Sequence, residues 1–146
     1  MSDSDLISLY SGRILELAAD IPHIGRLAEP QGSARRRSPV CGSMVTVDLS
    51  LSDGRVADFA QDVKACALGQ ASASIMGRAL LGRSRAEIEG ARDALKAMLT
   101  AEGPVPAPPF EGYEVLIPAR DYRNRHASIL LALEAAADAF AEAEAR

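Results

Sequence analysis

Two cysteines are the side chains with the clearest capacity for chemistry in this sequence. Cys66 opens the segment "CALGQASASIM" (residues 66–76), and Cys41 lies in "SPVCGS" (residues 38–43). Apolar periodicity predicts that Cys66 begins a helix. A helix N-terminus presents free backbone N–H groups and the positive end of the helix dipole, which favour a thiolate over a thiol. We therefore expect Cys66 to be a good nucleophile and a good metal ligand.

The spacing of the two cysteines predicts no metal motif by itself. They stand 25 residues apart, and neither belongs to a CxxC pair. Two cysteines are too few for a disulfide scaffold, and in a reducing cytosol they would be thiols. The simplest alternative is that both are small buried hydrophobic residues.

Small side chains follow Cys66 in alternation, from Ala71 to Ser74. Such a lean surface predicts a helix that packs closely on its neighbours. Because serine hydroxyls are poor metal ligands, we interpret these serines as packing residues.

The first half of the chain is predicted to form one helix followed by a small sheet. Apolar residues at helical spacing predict a helix over about residues 4–19. Residues 34–63 then show partial alternation of apolar and polar residues, and Asp53-Gly54 is typical of a two-residue hairpin turn. Three arginines, Arg35 to Arg37, predict a solvated edge strand.

Three helices are predicted in the second half. The first runs from Cys66 to about Leu81, and the second begins at a capping box formed by Ser84 and Glu87. A Pro/Gly-rich segment at 102–113 is expected to be a surface excursion, and 121–125 a solvated loop. The last helix is expected to begin near His126. This order of elements indicates an α+β fold.

Length and composition set broad limits on function. The 146 residues suit a single domain spanning 1–146. A net charge of −4 argues against a dedicated nucleic-acid-binding protein. No apolar run is long enough to span a membrane, and the acidic N-terminus does not read as a signal peptide. We therefore expect a cytoplasmic protein with neither nucleic-acid nor membrane partners.

Four segments together resemble the NifU/IscU/SufU-type family of iron–sulfur cluster assembly scaffolds: "SPVCGS", "DGRVADF", "VKACALGQASASIM" and "HASIL". The resemblance covers about residues 5–143, and the length between Cys66 and His126 is SufU-like. It implies a SufE/NifU-like α+β fold, in which an N-terminal helix precedes a three-stranded antiparallel sheet and three helices packed on it.

The resemblance also implies a site. It places Cys41 opposite Cys66 and adds His126 as a third ligand. The family's aspartate corresponds to Ser43 here, and its third cysteine aligns with Ala127. In a SufU-type alignment His126 itself takes the position of the third cysteine. Two thiolates and an imidazole could hold zinc together with an outside fourth ligand. The same set could hold an iron–sulfur cluster if another molecule supplied a ligand.

The function that the resemblance implies is that of a scaffold or carrier rather than an enzyme. Such a protein takes sulfur from a cysteine desulfurase, assembles a cluster with iron and passes it to apo iron–sulfur acceptor proteins. A zinc-containing, SufU-like sulfur-transfer protein is one alternative. A degenerate member that only binds a partner protein is another. A hydrolase or transferase using Cys66 and His126 is a weaker alternative, because nothing in the sequence indicates an oxyanion hole.

Overall fold

The computed structural model describes residues 11–39 and 42–145. These residues form four α-helices, three strands and one 3₁₀ helix, in the chain order α1 (Gly12–Ala19), β1 (Gly32–Arg37), β2 (Met44–Ser52), β3 (Arg55–Lys64), α2 (Ala67–Ala79), α3 (Arg85–Thr100), the 3₁₀ helix (Glu111–Asp121) and α4 (Arg123–Glu144). The predicted α+β fold is confirmed, with one helix before a three-stranded antiparallel sheet and the remaining helices after it.

The sheet has the strand order β1-β2-β3, and both pairings are antiparallel. Asp53 and Gly54 have φ values of 54° and 73°, so both adopt the left-handed conformation that a tight hairpin turn requires. This confirms the predicted turn between β2 and β3. The three arginines lie exposed at the end of β1, which is an edge strand as predicted.

The long helix α4 forms the centre of the structure. It packs across β1 and β2 on one face of the sheet, and it also contacts α2 and α3. The backbones of α4 and β1 come very close together at Gly32, where an added Cβ would overlap the carbonyl oxygen of Ala139. Helix α2 packs between α1 and α4. Within the described residues, no helix is both long enough and apolar enough to cross a bilayer.

The Pro/Gly-rich segment is the predicted surface excursion only in part, because most of residues 102–109 are exposed but the aromatic residues near its end are not. Phe110, the N-cap of the 3₁₀ helix, and Tyr113, within that helix, are both buried in the core. The hydroxyl of Tyr113 donates to the backbone carbonyl of Ser72 at 2.9 Å. Burial raises the pKa of Tyr113, although a hydrogen bond with the Ser72 side chain opposes the shift.

Two predicted helix starts are also corrected. Helix α4 begins at Arg123 rather than near His126, and the buried ring of Tyr122 precedes it, so 121–125 is not a solvated loop. Helix α1 begins after Ser11, whose hydroxyl accepts from the backbone N–H of Ile14. A single helix over 4–19 is therefore wrong at Ser11, and residues 4–10 lie outside the described part of the chain.

Candidate functional site

Cys66 is the N-cap residue of α2, which confirms its predicted place at a helix start. Its backbone is extended (φ −67°, ψ 171°), and its carbonyl accepts from the N–H of Gln70 at 2.9 Å. Its side chain makes no capping hydrogen bond. The thiol is free and partly exposed. The thiol therefore lies at the positive end of the helix dipole and does not cap the first-turn N–H groups.

Two buried serines connect Cys66 to other elements, and we call Ser43 and Ser128 the hydroxyl pair. The Sγ atom of Cys66 lies 3.5 Å from Oγ of Ser128, and Oγ of Ser128 donates to Oγ of Ser43 at 3.1 Å. Ser128 is 1% exposed and Ser43 is 4% exposed. Ser128 belongs to α4, and Ser43 immediately precedes β2. The start of α2, the start of α4 and the β1–β2 turn therefore meet at one point.

Gly69 allows α2 to come this close to α4. An added Cβ at Gly69 would lie 2.5 Å from Oγ of Ser128 and 2.8 Å from Cβ of Ala65. One turn further along, the hydroxyl of Ser72 donates to the carbonyl of Ile129 on α4. The predicted close packing of the small residues of α2 is confirmed, and Ser72 contributes to packing and hydrogen bonding.

Cys41 and Val40 lie outside the described residues, but the residues on either side of them are described, and we call the segment 38–43 the Cys41 turn. The N–H of Ser38 donates to the carbonyl of Ser43 at 2.8 Å, and the N–H of Gly42 donates to the carbonyl of Ser38 at 3.2 Å. Gly42 has a φ of 73°, which favours glycine, as expected for a tight turn at this residue. The end of this turn is Ser43, a member of the hydroxyl pair.

His126 lies on another side of α4. It precedes Ser128 by two residues, which corresponds to about 200° around the helix. The buried ring places Nε2 2.9 Å from the carbonyl oxygen of Ala119 and 3.1 Å from that of Arg120, so the Nε2–H donates to the 3₁₀ helix. The ring also lines a cavity of about 550 Å³ whose lining does not include Cys66. The structure thus brings Cys66 into contact with the hydroxyl pair, and the ring of His126 into contact with the 3₁₀ helix.

Ser128 is the contact residue that sequence reasoning missed, and Ser43 was considered only as a departure from the family's aspartate. One signal for Ser128 was available. It stands beside Ile129 and Leu130 in the apolar stripe of the last helix, and a hydroxyl on a buried face requires a partner. The sequence could not supply the identity of that partner.

Among the described residues, the side chains joined by hydrogen-bonding contacts at Cys66 are one thiol and two neutral hydroxyls. Within 11–39 and 42–145, no three side chains of the types His, Cys, Asp and Glu are grouped closely enough to hold a metal ion. A metal or cluster bound at Cys66 therefore needs Cys41 or a ligand from another molecule. Thiolates are the ligands that iron–sulfur clusters prefer.

Comparison with protein families decides the relationship. The NifU-like N-terminal domain model matches residues 9–108, which is more than half of the chain. The chain belongs to the NifU-like N-terminal domain family. Membership of this family agrees with the expectation that the protein is not an enzyme.

Solved structures support the NifU-like assignment. The N-terminal part of a nitrogen-fixing NifU-like protein from Brucella abortus is 46% identical, with a TM-score of 0.94 over 97% of this chain and 99% of that one. A protein described as a scaffold for iron–sulfur cluster assembly in the SUF system of Fervidobacterium islandicum AW-1 is 18% identical, with a TM-score of 0.80 over 92% and 98%.

A third structure, of a hypothetical protein, is 23% identical with a TM-score of 0.81 over 92% of this chain and 98% of that one. These last two similarities show the fold alone. A comparison with curated proteins finds no significant match. The family and fold expected from the sequence are both confirmed.

Proposed function

We propose that this protein is a scaffold or carrier for iron–sulfur cluster assembly, and that it binds its cargo through Cys41 and Cys66. Membership of the NifU-like family supports the general role. The observation that carries the proposal is the position of the Cys66 thiol, which is free, partly exposed and one hydroxyl contact away from the end of the Cys41 turn. The iron or cluster is the substrate that this site receives and releases.

Chain geometry supports a shared site for the two thiols. Cys41 precedes Ser43 by two residues, and two residues span at most about 7 Å between Cα atoms. Ser43 in turn contacts Ser128, which contacts Cys66. This geometry supports the proposal that both thiols bind one small cluster.

A site with only two thiolates from this chain suits a carrier. Iron–sulfur clusters favour four protein ligands, mostly thiolate, so two positions would be supplied from outside. A recipient protein that offers its own cysteines could complete the coordination and then take the cluster. This arrangement favours transient holding over permanent storage.

His126 is our sequence-based choice for a third ligand, and its position on α4 weighs against that role. Its Nε2–H donates to two backbone carbonyls, which leaves Nδ1 as the ring atom that could bind a metal. The ring also lies about 200° around α4 from Ser128. We therefore propose that Cys41 and Cys66 carry the site and that His126 chiefly fastens the start of α4 to the 3₁₀ helix.

A cysteine desulfurase and apo acceptor proteins are the partners that this role requires. We propose Cys66 as the sulfur acceptor. Its thiolate attacks the outer sulfur of the desulfurase persulfide, forms a new S–S bond and releases the desulfurase thiolate. The product is a persulfide on Cys66. Two electrons from an external dithiol, which is oxidised to a disulfide, would then release the outer sulfur as sulfide for the cluster.

The proposal can be tested by anaerobic purification followed by elemental analysis and UV–visible spectroscopy, before and after reconstitution with ferrous iron and sulfide. We expect bound iron and sulfide in the wild type, with loss in Cys66→Ser and Cys41→Ser. The matched control is Ser74→Ala, a buried serine of the same helix whose hydroxyl donates to the carbonyl of Asp20. His126→Ala should keep most of the iron.

Other outcomes would assign a different role. Near-stoichiometric zinc that is lost in Cys66→Ser would favour the sulfur-transfer alternative. Absence of metal even after reconstitution would overturn the scaffold proposal and favour a protein-binding adaptor.

A further inference from the structure

We infer that Ser128 is a positioning residue that holds the Cys66 thiol toward the Cys41 turn. The role it serves rests on the proposed function, but the geometric claim can be tested without any cargo. The basis is the chain of contacts from Sγ of Cys66 to Oγ of Ser128 (3.5 Å) and on to Oγ of Ser43 (3.1 Å).

Burial makes this chain of contacts selective. Ser128 is 1% exposed, so solvent cannot readily replace either of its partners. A hydroxyl donates one hydrogen bond and accepts up to two, so Ser128 can donate to Ser43 while it accepts from the Cys66 thiol. Turning the same hydroxyl around would let it donate to sulfur instead. Ser128 can therefore form a hydrogen bond with the sulfur both as a thiol, before cargo binds, and as a thiolate, after cargo binds.

The side chain of Cys66 needs such a contact to stay in one orientation. A cysteine side chain can choose among three staggered χ1 rotamers, and a partly exposed one is free to exchange between them. Among the described residues, Ser128 provides the only hydrogen-bonding contact to Sγ. Without that hydroxyl, no described polar group would favour the rotamer that places the sulfur beside Ser128.

The position of Ser43 gives the contact its significance. The family resemblance places an aspartate at this residue, where the present chain has a hydroxyl. A neutral hydroxyl is a poor cargo ligand, but it joins the Cys41 turn to α4 through Ser128. The two cysteines come from separate elements, and the hydroxyl pair is the link that fixes the orientation of one sulfur relative to the turn that carries the other.

The test measures side-chain rotamers of Cys66 by NMR in metal-free, reduced protein. The Hα–Hβ couplings of Cys66 should indicate one dominant rotamer in the wild type. We expect Ser128→Ala to lose that pattern and to give averaged couplings, whereas Ser128→Thr should keep it because the hydroxyl remains. The control Ser74→Ala, which alters a different buried serine, should leave the Cys66 couplings unchanged.

A second variant keeps the inference testable if Ser128→Ala fails to fold. Ser43→Ala removes the far member of the hydroxyl pair, and we expect partial averaging of the Cys66 rotamer. Unchanged Cys66 couplings in whichever of the two alanine variants fold would overturn the inference, as would averaged couplings in the wild type. Because no metal is present, this result is independent of whether the protein carries iron.

Discussion

Helices α2 and α3 begin with nearly the same backbone geometry and opposite side-chain chemistry. Their N-cap residues, Cys66 and Ser84, have φ and ψ of −67° and 171° in one case and −83° and 167° in the other. Ser84 and Glu87 form a complete capping box, in which each side chain accepts from the other's backbone N–H. Cys66 makes no side-chain cap.

The comparison shows that a cysteine at the N-cap of α2 replaces a residue that could have capped the helix. Serine at an N-cap commonly stabilises a helix by about 1 kcal/mol, and cysteine is not among the favoured residues. Helix α2 also has no acidic residue in its first turn, whereas Glu87 lies in the first turn of α3. At α2 the N-cap side chain therefore leaves the first-turn N–H groups uncapped, and α2 packs closely on α4.

The largest difference in the free energy of unfolding should come from two single glycine substitutions, one in each helix. We expect Gly69→Ala to lower the free energy of unfolding by about 1–2 kcal/mol, because the new Cβ would overlap Oγ of Ser128 and Cβ of Ala65. Gly90→Ala in α3 has open space around its Cβ and should raise the stability by about 0.5–1 kcal/mol. Urea unfolding of both variants measures the contrast. Equal effects would mean that α2 does not depend on close contact with α4.

Removing the cap of α3 should have the next largest effect. Ser84→Ala deletes the hydroxyl that accepts from the N–H of Glu87, and we expect a loss of about 1 kcal/mol or slightly more in the free energy of unfolding. Ser84→Thr, which retains a hydroxyl, is the control. An unchanged urea midpoint in Ser84→Ala would contradict a stabilising role for the capping box.

Cys66→Ser should stabilise the metal-free protein while removing its proposed function. A serine at this N-cap can accept from the first-turn N–H groups that cysteine leaves without a side-chain partner, and the expected gain is about 0.5–1 kcal/mol. Thermal unfolding in the presence of a chelator measures the change, with Ser74→Ala as a control in the same helix. A less stable Cys66→Ser protein would show that the thiol itself supports the fold.

The smallest expected effect is the pH dependence of the α3 cap. The backbone N–H of Ser84 chiefly lowers the pKa of Glu87 to about 2; burial opposes the shift, and Arg55 and Arg83 reinforce it. Because the folded pKa lies below the ordinary value of 4.5, the ionised carboxylate stabilises the protein above pH 4.5. That contribution is lost as the pH falls from 4.5 toward 2. The stability difference between wild type and Glu87→Gln should therefore shrink over this range in urea titrations.

Local patterns predicted most of the fold. The capping box of Ser84 and the turn at Asp53-Gly54 depend on residues close together in sequence, and both were predicted correctly. The prediction of an exposed segment was wrong around Tyr113, because Pro and Gly indicate turns but do not indicate whether a turn is buried. Its aromatic residues, Phe110 and Tyr113, were the better signal.

The candidate site likewise has features that depend on nearby residues and features that depend on long-range packing. The position of Cys66 at a helix start follows from nearby residues, so the sequence could predict it. The contact between Cys66 and Ser128 joins residues 62 positions apart, and it depends on how closely α2 packs on α4. The placement of His126 against the 3₁₀ helix depends on where α4 begins, which the sequence placed too late. The convergence of Cys41 with Cys66 stays a prediction.

The buried hydroxyl of Tyr113 provides an intrinsic absorbance probe of local unfolding. The chain has three tyrosines and no tryptophan, so its near-ultraviolet absorbance above 280 nm is easily followed during alkaline titration. Because burial raises the pKa of Tyr113, its ring should form phenolate only when the 3₁₀ helix comes away from α2. A delayed step in phenolate absorbance would therefore report the opening of that segment, using a chromophore that the protein already contains.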